Sequence, residues 1–116
     1  MKKITFIGLG VMGFPMAGHL SNKGYKVTVY NRSEEKSKLW IEKYAGNYST
    51  SVKEAVADSD IVFSCVGNDS DLRDITLGHN KAFSGMKAGS VFVDHTTTSS
   101  DIAIELSEIV KEYNIH

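Results

Sequence analysis

The chain has 116 residues, the length of one ordinary domain. With 41% hydrophobic and 23% charged residues it can bury a core and belongs with soluble globular proteins, not disordered tails. A formal net charge of −1 excludes the general positive field that a nucleic acid needs, so any anionic ligand has to be held by local geometry.

The single cysteine, Cys65, excludes a disulfide scaffold within the chain and fits a reducing compartment, so the cytoplasm is expected. Cys65 lies in the apolar run 61–66 and reads as a buried, inert thiol, because an apolar site disfavours the thiolate. Apolar runs reach only about six residues, far short of a membrane span. A strand pattern from Lys3 onward leaves no room for a targeting segment, and no metal site is expected.

In chain order, Ile4 to Ile7 reads as the first strand. A helix follows from about Val11 to Asn22, with Pro15 tolerable in its first turns and Gly24 as a stop. Tyr25 to Tyr30 is β-branched and aromatic, and makes strand two. Ser33 then looks like an N-cap, with Glu34 and Glu35 where the helix dipole favours carboxylates, and that helix reaches about Tyr44. Tyr48 to Thr50 is a short third strand. Ser51 and Glu54 form a capping-box pattern that opens a brief helix to about Asp58.

Asp60 to Val66 is a continuous apolar strand of the kind covered on both faces. Asp69 to Leu77 reads as helix, Gly85 to Gly89 as a turn, and Val91 to Asp94 as strand five. Ile102, Leu106, Ile109, Val110 and Tyr113 share one face of a last helix. Strands alternating with helices in this way predict an α/β fold: a Rossmann-type, doubly wound, mostly parallel sheet of about five strands. The full fold has six strands, so the chain is expected to be a partial domain, with 1–116 a truncated dinucleotide-binding unit.

Gly8-Leu9-Gly10-Val11-Met12-Gly13 is G-x-G-x-x-G set directly between a strand and a helix. Gly8 makes the tight turn, Gly10 lets the backbone approach a pyrophosphate, and Gly13 lets helix pack on strand. The helix N-terminus presents free amides and partial positive charge to the phosphates. The hexapeptide alone is a weak signal; strand, helix and second strand in register make it a dinucleotide site.

Strand two ends in Asn31-Arg32-Ser33, where an NAD site carries a carboxylate for the ribose 2′-hydroxyl. Without that carboxylate a 2′-phosphate meets no repulsion, Arg32 pairs with it bidentately, and Ser33 adds a donor. NADP(H) is therefore expected over NAD(H). The bland reading of Arg32 alone is a solvated loop arginine. Val66 and Gly67 end strand four at the carboxyl edge where open α/β sheets bind ligands; Asn68 and Asp69 serve equally well as the next helix's cap.

Asp94-His95-Thr96-Thr97-Thr98-Ser99-Ser100 places a run of hydroxyls between a strand end and a helix start. Thr96, Thr97 and Thr98 with free amides there suit a small-molecule carboxylate substrate. Plain capping, with Thr98 and Asp101 as a capping box, explains the same residues.

These four blocks, in this order across the whole chain, resemble the N-terminal domain of the β-hydroxyacid dehydrogenases, with the 3-hydroxyisobutyrate dehydrogenase branch fitting best. The resemblance implies an NADP-dependent oxidoreductase acting on a short β-hydroxy acid or semialdehyde. It assigns Gly8 to Gly13, Asn31 and Arg32 to the cofactor, and Val66, Gly67 and Asp71 to the loop lying along it. Thr96 and Thr97 match the Ser-Thr pair of the family's D-x-S-T substrate motif, Thr97 also at a cofactor-contacting position. Thr96 replaces serine, and Ser100 stands where a proline is usual; the hydroxyl chemistry survives both changes.

The resemblance also implies a catalytic lysine on a glycine-rich helix in the second half of a longer, homo-oligomeric protein. Nothing here matches that motif. Lys36, Lys38, Lys81 and Lys87 read as solvated charges, and His95 occupies the variable position of D-x-S-T, turned from the substrate. No catalytic residue is expected within 1–116, and the chain alone is expected to be inactive. Two alternatives stand beside this reading: the N-terminal domain of an imine reductase, and a non-catalytic dinucleotide-binding module.

Overall fold

The computed structural model describes residues 2–66, 69–77, 82–94, Leu106 and Ile115. The chain runs β1 (Lys3–Ile7), α1 (Gly13–Asn22), β2 (Lys26–Tyr30), α2 (Glu34–Lys43), β3 (Asn47–Tyr48), α3 (Val52–Val56), β4 (Ile61–Ser64), α4 (Asp69–Thr76), α5 (Ala82–Gly85) and β5 (Val91–Asp94). The strands form one sheet in the order β3-β2-β1-β4-β5. Every pairing is parallel, so the sheet is wholly rather than mostly parallel.

The register brings the carboxyl ends of the central strands to one level. Ile7 of β1 pairs with Tyr30 of β2 on one side and with Ser64 of β4 on the other. Sequence order runs outward in both directions from β1, so the switch point lies between β1 and β4, at that same edge.

Two cores follow from alternation along the strands. On one face Ile4, Phe6, Val27 and Val29 pack with Leu9, Ala17 and the fully buried Trp40. On the other, Ile7 and Val62 pack with Val52, Val56, Leu72, Ile75 and Phe83. Leu106 joins this second core, as the apolar face of the last helix predicts, and Ile115 does too; the other four residues of that face lie outside the described residues.

Differences from expectation are local. The first helix begins at Gly13, because Val11 and Met12 complete the turn. The third strand is only Asn47–Tyr48, and the fourth stops at Ser64. That fourth strand is fully buried on one face alone, through Val62 and Ser64, while Ile61 and Phe63 are half-buried. Within the stretch read as a turn, α5 ends at Gly85, which sits against α3 at the Lys53 carbonyl and Val56. Ser51 caps α3 as the pattern predicts, its hydroxyl accepting from the Glu54 amide at 3.4 Å.

Candidate functional site

A cleft of about 240 Å³ opens at the carboxyl edge of β1, β2 and β4. β1 and the turn after it contribute Ile7, Gly8, Leu9 and Gly10; the end of β2 contributes Tyr30, Asn31 and Arg32. The end of β4 adds Cys65 and Val66, and α4 closes the side with Ile75.

The turn is built by glycines that the chain itself requires. Gly8 has φ of +99°, a region that side chains strain to adopt, and a methyl there would run into the Cys65 carbonyl. Its amide donates to the Tyr30 carbonyl at 2.8 Å, and the Cys65 amide donates to the Ile7 carbonyl at 2.8 Å. These two bonds hold the ends of β1, β2 and β4 together. A methyl on Gly13 would meet the Gly8 carbonyl and the Phe6 ring, so this glycine seats α1 on the turn.

Gly10 is different. Its φ is not in the left-handed region and a methyl there meets nothing within 4 Å. Among the described glycines it alone has neither a backbone nor a packing reason to be glycine. The amides of Gly10, Val11 and Met12 donate to nothing among the described residues, while the Gly10 carbonyl accepts from Phe14 at 3.0 Å. Open space and three amides with no partner among the described residues, at the start of a ten-residue helix, fit a phosphate group.

At the end of β2, Asn31 bridges two parts of the rim. Its Oδ1 accepts from the Leu9 amide at 2.9 Å, and its Nδ2 donates to the Ser33 carbonyl at 3.1 Å. Arg32 is exposed and lines the cleft. Ser33 occupies the N-cap of α2, yet its hydroxyl makes no cap bond and it stays outside the lining.

Residues 3–116 match the model of the NAD-binding domain of 6-phosphogluconate dehydrogenase. The chain belongs to that family. This NAD-binding domain is 52% identical, over 99% of its length, to an uncharacterized oxidoreductase of Shewanella frigidimarina. It is 42% identical, over 91% of its length, to a probable 3-hydroxyisobutyrate dehydrogenase-like protein of Arabidopsis thaliana. It spans only 40% and 32% of those two relatives.

Among solved structures, 99% of the domain superposes on 38% of a Mycobacterium tuberculosis 3-hydroxyisobutyrate dehydrogenase, with a TM-score of 0.90 at 23% identity. An imine reductase from Myxococcus stipitatus in complex with NADP+ gives 0.87 at 26% identity, over 97% of this domain and 38% of that chain. The family is one of oxidoreductases, and the domain is their nucleotide-binding part.

Of the residues singled out in the sequence, Gly8, Leu9, Gly10, Asn31, Arg32 and Val66 come together in the cleft of the NAD-binding domain. Val11 and Met12 stand beyond it, 95% and 64% exposed, at the start of α1. Gly13 is buried beneath the turn, and Leu9, though it lines the cleft, is fully buried in the core. Asp71 falls within α4. Gly67, Thr96, Thr97 and Thr98 lie outside the described residues, as does His95.

Sequence reasoning passed over Ile7, Tyr30 and Ile75. The first two end strands at the carboxyl edge, a signal that was there to use; Ile75 is brought in by tertiary packing alone. Cys65 lines the cleft and is half-buried against the core that holds Phe6 and Trp40, a correction to the full burial expected from its apolar run, because β4 ends one residue earlier. No described helix is long and apolar enough to cross a membrane.

Two ion pairs sit at the opposite edge of the sheet. Lys3 pairs with Asp58, and that hydrogen bond raises the Lys3 ammonium above its ordinary range and lowers the Asp58 carboxyl. Asp60 accepts from the Lys3 amide at 2.9 Å and pairs with Lys87 at 2.9 Å; the amide first, then the ammonium, hold its carboxyl below the usual range.

Proposed function

We propose that this domain binds NADP(H) in preference to NAD(H), within an oxidoreductase that acts on a short β-hydroxy acid or its semialdehyde. The observation that carries the nucleotide reading is Gly10: a glycine with open space over it, beside three amides that donate to nothing among the described residues. The described residues give it no internal reason to lack a side chain, and close approach of a pyrophosphate supplies one.

In this reading the amides of Gly10, Val11 and Met12 hold the pyrophosphate with the positive end of α1 behind them. Arg32 pairs with the 2′-phosphate, and the neutral Asn31 removes the repulsion a carboxylate would bring. Ser33, Val66, Gly67 and Asp71 line the remainder of the cofactor's path. Thr96, Thr97 and Thr98 take the substrate carboxylate, with Thr97 also against the cofactor. NADP bound there supplies hydride exchange at its nicotinamide C4 with the carbon that bears the substrate's hydroxyl. The general acid/base is a lysine outside 1–116, and the whole protein is a cytoplasmic homo-oligomer.

A second reading, an imine reductase, is favoured by the Myxococcus stipitatus structure and its NADP+. The hydroxyl run at Thr96 to Thr98 favours the hydroxy acid, because a cationic imine has no carboxylate to clamp. The Arabidopsis relative, more similar at 42% than the reductase at 26%, carries the hydroxyisobutyrate name.

Fluorescence titration of the 116-residue chain tests the cofactor. NADPH should bind at least about tenfold more tightly than NADH, the worth of a charge-assisted pair. Arg32→Ala should cost NADPH about tenfold and leave NADH within about twofold. Equal affinities in the parent chain, or equal losses in the variant, refute the NADP preference.

A further inference from the structure

We propose that Asn31 is a positioning residue that fixes the glycine turn against the loop after β2, and so supports either dinucleotide instead of selecting between them. The proposal rests on the dinucleotide reading of the cleft and gives Asn31 a role distinct from that of its neighbour Arg32.

The geometry arises where β1 and β2 part. Gly8 is the last residue of the β1 side whose amide reaches the β2 ladder, through the Tyr30 carbonyl. The next amide, that of Leu9, has no strand opposite it, and the Leu9 side chain is fully buried, which anchors this backbone in the core. A backbone amide left unpaired there is costly. Asn31 Oδ1 satisfies it at 2.9 Å.

The other end of the same amide group donates to the Ser33 carbonyl at 3.1 Å, which also accepts from the Lys36 amide at 3.2 Å in the first turn of α2. One planar side chain therefore links the phosphate turn to the entry of α2. Only a side chain of this length with an acceptor and a donor on one carbon makes both bonds. Aspartate keeps the bond from Leu9 and loses the one to Ser33; alanine loses both.

Arg32 sits between the two anchor points and lines the cleft. Its backbone is bracketed by Asn31 and by the Ser33 carbonyl that Asn31 holds. Selection for a 2′-phosphate falls to the guanidinium, and the shape of the rim that both dinucleotides share falls to Asn31.

The test uses Asn31→Ala, Asn31→Asp and Arg32→Ala in the 116-residue chain, with NADH and NADPH titrations. Amide exchange at Leu9, followed by NMR without any ligand, is the second readout. Asn31→Ala should speed exchange at Leu9 at least about tenfold relative to the β1 amides, as one lost hydrogen bond predicts. It should also weaken NADH and NADPH alike, by about five- to tenfold, leaving their ratio unchanged.

Asn31→Asp should keep Leu9 protected and NADH within about threefold, while NADPH falls at least about tenfold by charge repulsion. A general loosening of the fold would not be rescued in this selective way. The proposal is overturned if Asn31→Ala weakens NADPH alone with Leu9 still protected, which would make Asn31 a direct phosphate ligand. Should the alanine variant fail to fold, loss of Leu9 protection in the aspartate variant overturns it. If the parent chain binds neither dinucleotide, the nucleotide reading fails by itself, and Leu9 exchange still decides whether Asn31 holds the turn.

Discussion

A methyl group on Gly8 meets the Cys65 carbonyl, one on Gly13 meets the Gly8 carbonyl, and one on Gly10 meets no atom within 4 Å. Three glycines of one motif are thus held by different constraints, and substitution separates them. Gly8→Ala forces a left-handed φ and a backbone clash together, so it should cost about 1–3 kcal/mol or more. Gly10→Ala should leave stability unchanged or raise it by about 0.4–1 kcal/mol, because alanine narrows the unfolded ensemble where the native backbone accepts it. The same change should weaken NADPH at least about tenfold by filling the space over the turn. Chemical denaturation and titration of the two variants check this; a Gly10→Ala chain that binds as well as the parent would remove the main support for the nucleotide site.

Asp60 joins three elements at the other end of the sheet. Its carboxylate accepts from the first residue of β1, its carbonyl accepts from Val91 at the start of β5 at 3.0 Å, and Lys87 from the preceding turn pairs with its free oxygen. Because folding lowers this carboxyl below 3.8, its contribution is complete above that value and fades as pH falls through the lower folded one. Asp60→Asn should therefore lower Tm at pH 7 in low salt. The gap from the parent should close below the ordinary carboxylate range, and should shrink in 1 M salt, since the pair is exposed. A gap constant from pH 7 to pH 3 would show that charge is not the cause.

The strands and long helices were legible in the sequence because apolar periodicity and caps act over a few neighbouring residues. The four-residue α5 is too short to show a period and exists through its partner, Gly85 against α3; the third strand was read at Tyr48 to Thr50, but its bounds, Asn47–Tyr48, are set by pairing with Thr28 and Val29. For the same reason the glycine turn was legible while Ile75 in the cleft and the Asn31 bridge to Leu9 were not. Those join residues far apart in the chain, and only the register of β1, β2 and β4 sets them side by side.

At the scale of the molecule, the sheet gathers the ends of β1, β2 and β4 into one cleft, and the function proposed above leaves proton transfer to a group outside 1–116. The described lining offers a guanidinium that never releases its proton, an amide that does not titrate, a phenol and a thiol. A general acid/base needs a proton affinity near the working pH and reach to the substrate hydroxyl. Tyr30 and Cys65 sit at the strand ends that frame the cleft, and the chain spans 40% of its Shewanella relative. The 116-residue chain should therefore bind without turnover. NADPH at a hundred times its Kd should add about 2.7 kcal/mol of stability and raise Tm by on the order of 10 °C. The same protein with NADP and short β-hydroxy acids should form no NADPH above the buffer rate, read at 340 nm. Turnover that Tyr30→Phe or Cys65→Ala abolished, with NADPH affinity intact, would place the acid/base in this domain and reverse the division of labour proposed for it.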